Sequence, residues 1–294
     1  MTSELPAGVR TTETVLDRIV ADRRERLAED RASRPERELE ALVAGLPGTS
    51  VDFASRLRDG RRGALDGARL RLIAEIKRAS PSKGVFDADL DSGAQARRYA
   101  AAGASAVSVL TEPSFFQGRI DDLAAARAAF GDDLDRPALL RKDFIFDAYQ
   151  VLEARAFGAD ALLLIAMLLE PDALASLLRL TRDAGLEALV EVHDEHELAS
   201  AVEAGARVLG VNNRDLRTFE EDLGTFERLA RLAPSDVVLV AESAVRSAED
   251  ARRMAEAGAH AILVGEALVL SGDVEAKARE LLLVDAAARA GGTS

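Results

Sequence analysis

Cysteine is absent from this chain. Its absence excludes disulfides, thiolate-bound metals and a thiol nucleophile. Lysine is nearly absent. Of 38 lysines and arginines only Lys77, Lys83, Lys142 and Lys277 are lysine. Arginine therefore carries ordinary solvation, and each lysine marks a place for a compact ammonium whose pKa can be moved. Asparagine is scarcer still, confined to Asn212 and Asn213. Codon bias explains the scarcity. It does not explain why three of the four lysines fall at two apparent strand ends. The longest wholly apolar run, Ala161 to Leu169, is too short to span a bilayer. Residues Met1 to Thr14 lack the apolar core of a signal peptide, so a cytoplasmic location is expected. A net charge of −13 argues against nucleic acid as a general partner. Neither Gly-x-x-x-x-Gly-Lys-Ser/Thr nor Gly-x-Ser-x-Gly occurs, which leaves nucleotide hydrolysis and serine esterase chemistry without support.

What is present suits a large core: 294 residues, 48% hydrophobic and 30% charged. One domain of the barrel class or two smaller ones would fit. Residues 1–65 read as a helical arm. Val15, Leu16, Ile19 and Val20 share a helical face with Thr12 as cap, and Asp52 to Leu57 reads as a further short helix. Pro47 and Gly48 act as breakers between them. Such an arm covers one end of a body or docks a partner.

From residue 66 to 288 apolar strands alternate with amphipathic helices, and 289–294 reads as a tail. Eight strands are expected: 70–76, 106–111, 138–141, 161–165, 187–192, 208–212, 237–241 and 261–264. Gly-Ala pairs at Gly103, Gly158, Gly205 and Gly258 precede every second strand, where glycine suits a left-handed helix C-terminus. Eight βα units of this size favour a closed (β/α)8 TIM barrel. An open nucleotide-binding sheet would want Gly-x-Gly-x-x-Gly after the first strand, and Ser80-Pro81-Ser82-Lys83-Gly84 stands there as a loop.

In a barrel, chemistry gathers at the C-terminal strand ends. Glu75 and Lys77 are two residues apart and share a strand face. They fit either a structural ion pair or the rim of an active site. Leu140 and Lys142 share the inward face of strand three, with Arg141 outward. Glu191 shares the inward face of strand five with Leu189, Asn212 ends strand six and Glu242 directly follows strand seven. Ammonium and carboxylate groups held together in a low-dielectric mouth serve as proton donor and acceptor. Ser243, Ala244 and Gly265, at the ends of strands seven and eight, suit a phosphate, with Ser80 and Lys83 closing from strand one. Glu266 repels an anion there unless it points away. His193 and His196 read as a solvated helix start, and no metal site is expected.

These motifs resemble the indole-3-glycerol phosphate synthase family. The likeness runs through Ala74-Glu75-Ile76-Lys77 with Ser80 to Gly84, Phe116-Gln117-Gly118, Leu140 to Ile145, Leu189 to His193, Gly210 to Leu216, Ala241-Glu242-Ser243 and Val264-Gly265-Glu266. The first and third are highly specific. The resemblance implies an anionic small-molecule substrate, 1-(2-carboxyphenylamino)-1-deoxyribulose 5-phosphate. It implies indole-3-glycerol phosphate, CO2 and water as products, and no cofactor or metal. It points to Lys142 as the acid for ring closure. Lys77 lies near the substrate carboxylate and is available for a later step, Glu191 serves the dehydration, and Glu75 orients Lys77. Asn212, Glu242, Ser243, Arg214 and Phe116 (or Phe115) hold the substrate. Ser80, Lys83, Ser243, Ala244, Gly265 and Glu266 surround the phosphate. The family usually has glycine where this chain has Ala244, which demands negative φ there or weakens the phosphate seat. Arg119 is also less usual. A monomer without nucleic-acid or membrane partners is expected. Two other readings keep the barrel: Lys142 as a Schiff-base amine, and a scaffold subunit docked through the arm.

Overall fold

The computed structural model describes residues 7–46, 50–60, 68–80 and 83–283. The expected breakers Pro47 and Gly48, Pro81 and Ser82 of the first loop, and the tail 289–294 lie outside them. Eight parallel strands close on themselves: β1 (Arg71–Ile76), β2 (Ala106–Leu110), β3 (Ala138–Lys142), β4 (Ala161–Ile165), β5 (Glu187–Val192), β6 (Val208–Asn212), β7 (Val238–Glu242) and β8 (Ala261–Val264). The ring closes where Arg71 of β1 meets Ala261 of β8. Nearly every strand residue is buried, because the barrel interior lies on one face and helices on the other. That explains why the strands read as continuous apolar runs. This is the (β/α)8 barrel expected from the sequence.

Strands four, five, six and eight have the expected bounds. Two of the differences matter. β3 runs one residue further, to Lys142, and β7 is shifted to end on Glu242. At β7 the Val237 N–H turns back to Pro234 O, so pairing starts at Val238, which donates to Arg207 O. Both shifts bring a charged residue into the ladder itself. The four Gly-Ala signals behave as expected, with φ of +92°, +86°, +88° and +101° at Gly103, Gly158, Gly205 and Gly258. The first loop is not wholly irregular: Ala79–Ser80 pairs antiparallel with Gly84–Val85.

Three helices precede the barrel: α1 (Val15–Ser33), α2 (Glu36–Ala44) and α3 (Phe53–Asp59). The cap of α1 is Thr14 rather than Thr12. Its hydroxyl accepts from Leu16 N, while Thr12 bonds the Thr14 hydroxyl and Asp17 instead. Asp52 caps α3 through Ser55 N. The buried stripe of α1 is Leu16, Ile19, Val20, Arg23 and Leu27. An arginine in that stripe needs partners, since a buried unpaired charge is prohibitive. Arg23 finds Asp143 at 3.3 Å, Asp30 at 2.9 Å and Glu153 at 3.9 Å. Arg141, pointing outward from β3 as expected, bonds the same Asp143 and Glu153 at 2.9 and 2.7 Å. The arm is thereby clamped to β3 and to the following helix α4 (Ala148–Ala156). No helix among the described residues is long and apolar enough to cross a membrane.

Candidate active site

A cavity of about 200 Å³ opens at the C-terminal ends of the strands. One wall is apolar: Leu110, Phe116, Phe144, Leu163 and Ile165 from the barrel, with Leu16 and Ile19 from α1. The Phe116 and Phe144 rings lie 6.3 Å apart, tilted by 34°. That wall suits a flat aromatic group. Of the two phenylalanines proposed, Phe116 lines the cavity.

The opposite wall is charged, and Glu75 organises it. Its Oε1 lies 2.7 Å from Lys77 Nζ, and its Oε2 lies 3.2 Å from Lys142 Nζ. One carboxylate therefore bridges both amines. Lys142 also lies 3.4 Å from Glu242. Burial alone would push the Glu75 carboxyl up, but Lys77 and Lys142 outweigh it and hold it at about 2. Burial would lower the pKa of Lys142. Glu75, Glu242 and Glu191 reverse that and raise it, so the side chain is an ammonium. Glu242 is different. Its burial dominates, Glu191 adds repulsion, and its pKa is pushed up to about 7. Its Oε1 has no hydrogen-bond partner among the described residues. In the Lys142–Glu242 pair the carboxyl is thus the group that gives way.

Two glycines make this packing possible. A Cβ on Gly210 would run into Glu242 Oε1, and one on Gly265 would run into Glu75 Oε1. Each carboxylate fills the space a side chain would take, on β6 at Gly210 and just past β8 at Gly265.

Glu191 is buried on β5 and accepts from Asn212 Nδ2 at 3.2 Å. The two asparagines divide their work. Asn212 faces the cavity, while Asn213 bonds Glu242 O and Phe226 N behind it. His193 departs from expectation. It is no solvated helix start: its side chain is buried between Glu191 and Glu197. The signal was the strand face itself, since residues 191 and 193 share it. Arg214 lines the cavity and holds Glu221 at 2.5 Å, which also pairs with Arg246.

The remaining corner is small and hydroxylic. Ser80, Ser243, Ala244, Gly265 and Glu266 all reach the cavity. Ala244 does not have the negative φ its side chain demanded. Ser243 and Ala244 take φ of +61° and +63° in succession. The fold imposes the left-handed turn on an alanine, at a cost of about 1–2 kcal/mol. Lys83 is 55% exposed and reaches toward Glu266 at 3.7 Å, which partly neutralises that carboxylate.

A closed barrel with amines, carboxylates and an apolar slot at one mouth defines a (β/α)8-barrel enzyme that moves protons on a small ligand. Comparison with known proteins narrows this. The family model "Indole-3-glycerol phosphate synthase" matches residues 16–281. The protein of that name from Roseiflexus sp. (strain RS-1) is 48% identical over 92% of this chain and 98% of its own. That from Dehalococcoides mccartyi (strain CBDB1) is 45% identical over 91% and 100%. Among solved structures, 3-hexulose-6-phosphate synthase from Salmonella typhimurium superposes with a TM-score of 0.58 at 13% identity, over 73% of this chain and 97% of that one, and shares the fold. The chain belongs to the indole-3-glycerol phosphate synthase family, and with it to the carboxy-lyases of tryptophan biosynthesis.

Proposed function

We propose that this cavity takes 1-(2-carboxyphenylamino)-1-deoxyribulose 5-phosphate, with the aryl ring on the Phe116 wall and the phosphate at Ser80, Ser243, Ala244 and Gly265. The aryl carbon attacks the ketone carbon, and the Lys142 ammonium gives its proton to the ketone oxygen. Loss of CO2 then restores the ring, and the new hydroxyl leaves as water on taking a proton from Lys77, which completes the indole. Lys77 faces the substrate carboxylate, and Glu75 orients both amines. Glu191 accepts the proton that leaves during dehydration. Asn212, Arg214 and Glu242 position the substrate, and Lys83 and Glu266 flank the phosphate.

The observation that carries this reading is the Glu75 bridge, 2.7 and 3.2 Å from two amines beside an apolar slot. The carboxylates around Lys142 keep it an ammonium with a proton to give, which speaks against an amine nucleophile, since that must be neutral. Indole fluorescence appearing when substrate is added tests the reaction, and borohydride with substrate tests the Schiff-base alternative. Lys142→Arg keeps the charge, yet guanidinium is a poor acid near neutrality. Turnover is expected to fall by at least about 10²-fold. A near-normal rate would remove Lys142 from the acid role.

The same reading treats residues 1–65 as an arm on a barrel of residues 66–288, acting as a monomer in the cytoplasm. A dimer by sedimentation at micromolar concentration would overturn the monomer.

A further inference from the structure

The proposed roles leave one buried titratable group unused. His193 follows β5, two residues after Glu191. Its side chain is 8% exposed, and it is absent from the cavity lining. On one side, Nδ1 lies 3.1 Å from Glu197 Oε2, and the same carboxylate oxygen accepts the His193 backbone N–H at 2.8 Å. On the other side, Nε2 stands 3.3 Å from Glu191 Oε1, off the line a hydrogen bond requires. Glu197 is itself fixed, being 6% exposed on helix α5 (Glu195–Glu203), whose cap Asp194 accepts from Glu197 N. The imidazole is thus trapped between two carboxylates, one locked by a helix terminus and one facing the substrate cavity.

We propose that His193, anchored by Glu197, is a positioning residue for Glu191: it supplies the buried cation that Glu191 faces and fixes the carboxylate oxygen shared with Asn212. The inference rests on the reading of Glu191 as the proton acceptor.

The charges around the pair give the role its sign. Glu191 is faced by Lys142 from β3, by Glu242 from β7 and by His193 just past its own strand. His193 is faced by Glu191 and by Glu197 from α5. Burial would keep the imidazole neutral, but the two carboxylates outweigh it and push its pKa up to about 10. Burial would likewise protonate Glu191. His193, then Lys142 and Asn212, hold its carboxyl below its usual range. Without the imidazolium, Glu191 is left in a dry pocket beside Glu242. It then binds a proton more readily, and a protonated carboxyl accepts nothing.

The test uses the full chain and the pH profile of kcat. His193→Gln is expected to move the acid limb upward by about one pH unit or more, lowering kcat below the limb about tenfold. KM should stay within about twofold, because His193 does not line the cavity. Glu197→Gln is expected to shift the limb the same way by less. Nitrogen NMR of the imidazoles gives a second readout that does not depend on folding of the histidine variant: His193 should be doubly protonated at pH 8 in the unaltered chain. An unmoved limb in a His193→Gln protein of normal melting temperature, or a neutral His193 at pH 8, overturns the inference. If Glu191→Gln is inactive while His193→Gln leaves the limb in place, only the inference falls. If Glu191→Gln turns over normally, the reading of Glu191 falls and takes the inference with it.

Discussion

Gly210 shows how much of the chemistry depends on an absent side chain. Its place on β6 is filled by the carboxylate of Glu242, which in turn stands 3.4 Å from Lys142. Gly210→Ala pushes a methyl into the tip of a flexible side chain rather than into backbone. The fold should therefore survive, while the carboxylate and the amine it faces are displaced. Displacements of about 1 Å at a reacting group cost on the order of 10²-fold in rate. The expected outcome is a loss of kcat of that order with unchanged circular dichroism. Glu242→Asp in the same chain shortens the acid and should restore part of the rate. Failure of the second substitution to recover any activity would mean that the alanine acts by some other route. None of this was legible beforehand, because a glycine in a strand reads as a weak point until its neighbour across the ladder is known. Lys77, Lys142, Glu75 and Glu191 were legible, since period two places them inward at strand ends. His193 reads as a solvated helix start although the same periodicity places it beside Glu191.

At the scale of elements, the arm and the barrel meet through charge. Helix α1 buries Arg23 against Asp143 and Glu153, which Arg141 already holds from the other side. Removing one partner of such a cluster strands the others. Arg23→Ala should cost about 3–5 kcal/mol, read as a lowered midpoint in urea unfolding. Arg23→Met together with Asp143→Asn should cost less than the sum of the single changes, because each removes the other's unpaired charge. Additive losses would show that the cluster does not act as a unit. The apolar face of α1 was readable from spacing, but its arginine was not. Arg23 lies in a charge-dense run where solvation is the natural expectation, and only the tertiary partner 120 residues away reverses it. The cap was misplaced by two residues for a similar reason: Thr12 and Thr14 both satisfy the pattern, and Asp17 decides by engaging Thr12.

For the whole molecule, the buried titratable groups shape stability against pH. Glu75, held at about 2, stabilises the fold above the ordinary carboxylate pKa, and that contribution is lost as pH falls toward 2. His193, raised to about 10, works in the opposite sense. Its contribution is complete below its unfolded pKa, near 6.5, and disappears as pH rises through 10. Glu242, raised to about 7, loses its contribution between about 4.5 and 7. A net charge of −13 adds self-repulsion on the alkaline side. The melting temperature is therefore expected to decline from pH 6.5 to 10, and His193→Gln should flatten that limb. An equally steep decline in the variant would place the effect elsewhere. The barrel could be read from eight apolar runs and four glycine signals because those are local. The proton affinities could not, since each depends on strands far apart in the chain.

Arg141, Lys142 and Asp143 are consecutive. The third grips Arg23 of the arm, the first holds that third residue in place, and the middle one projects into the mouth of the ring. A single stretch of backbone thus serves as hinge pin for an outer helix and as mount for a reactive amine. Chimaeras that exchange the arm between relatives will have to carry this strand and the helix behind it as one cassette, or the amine will inherit the mismatch.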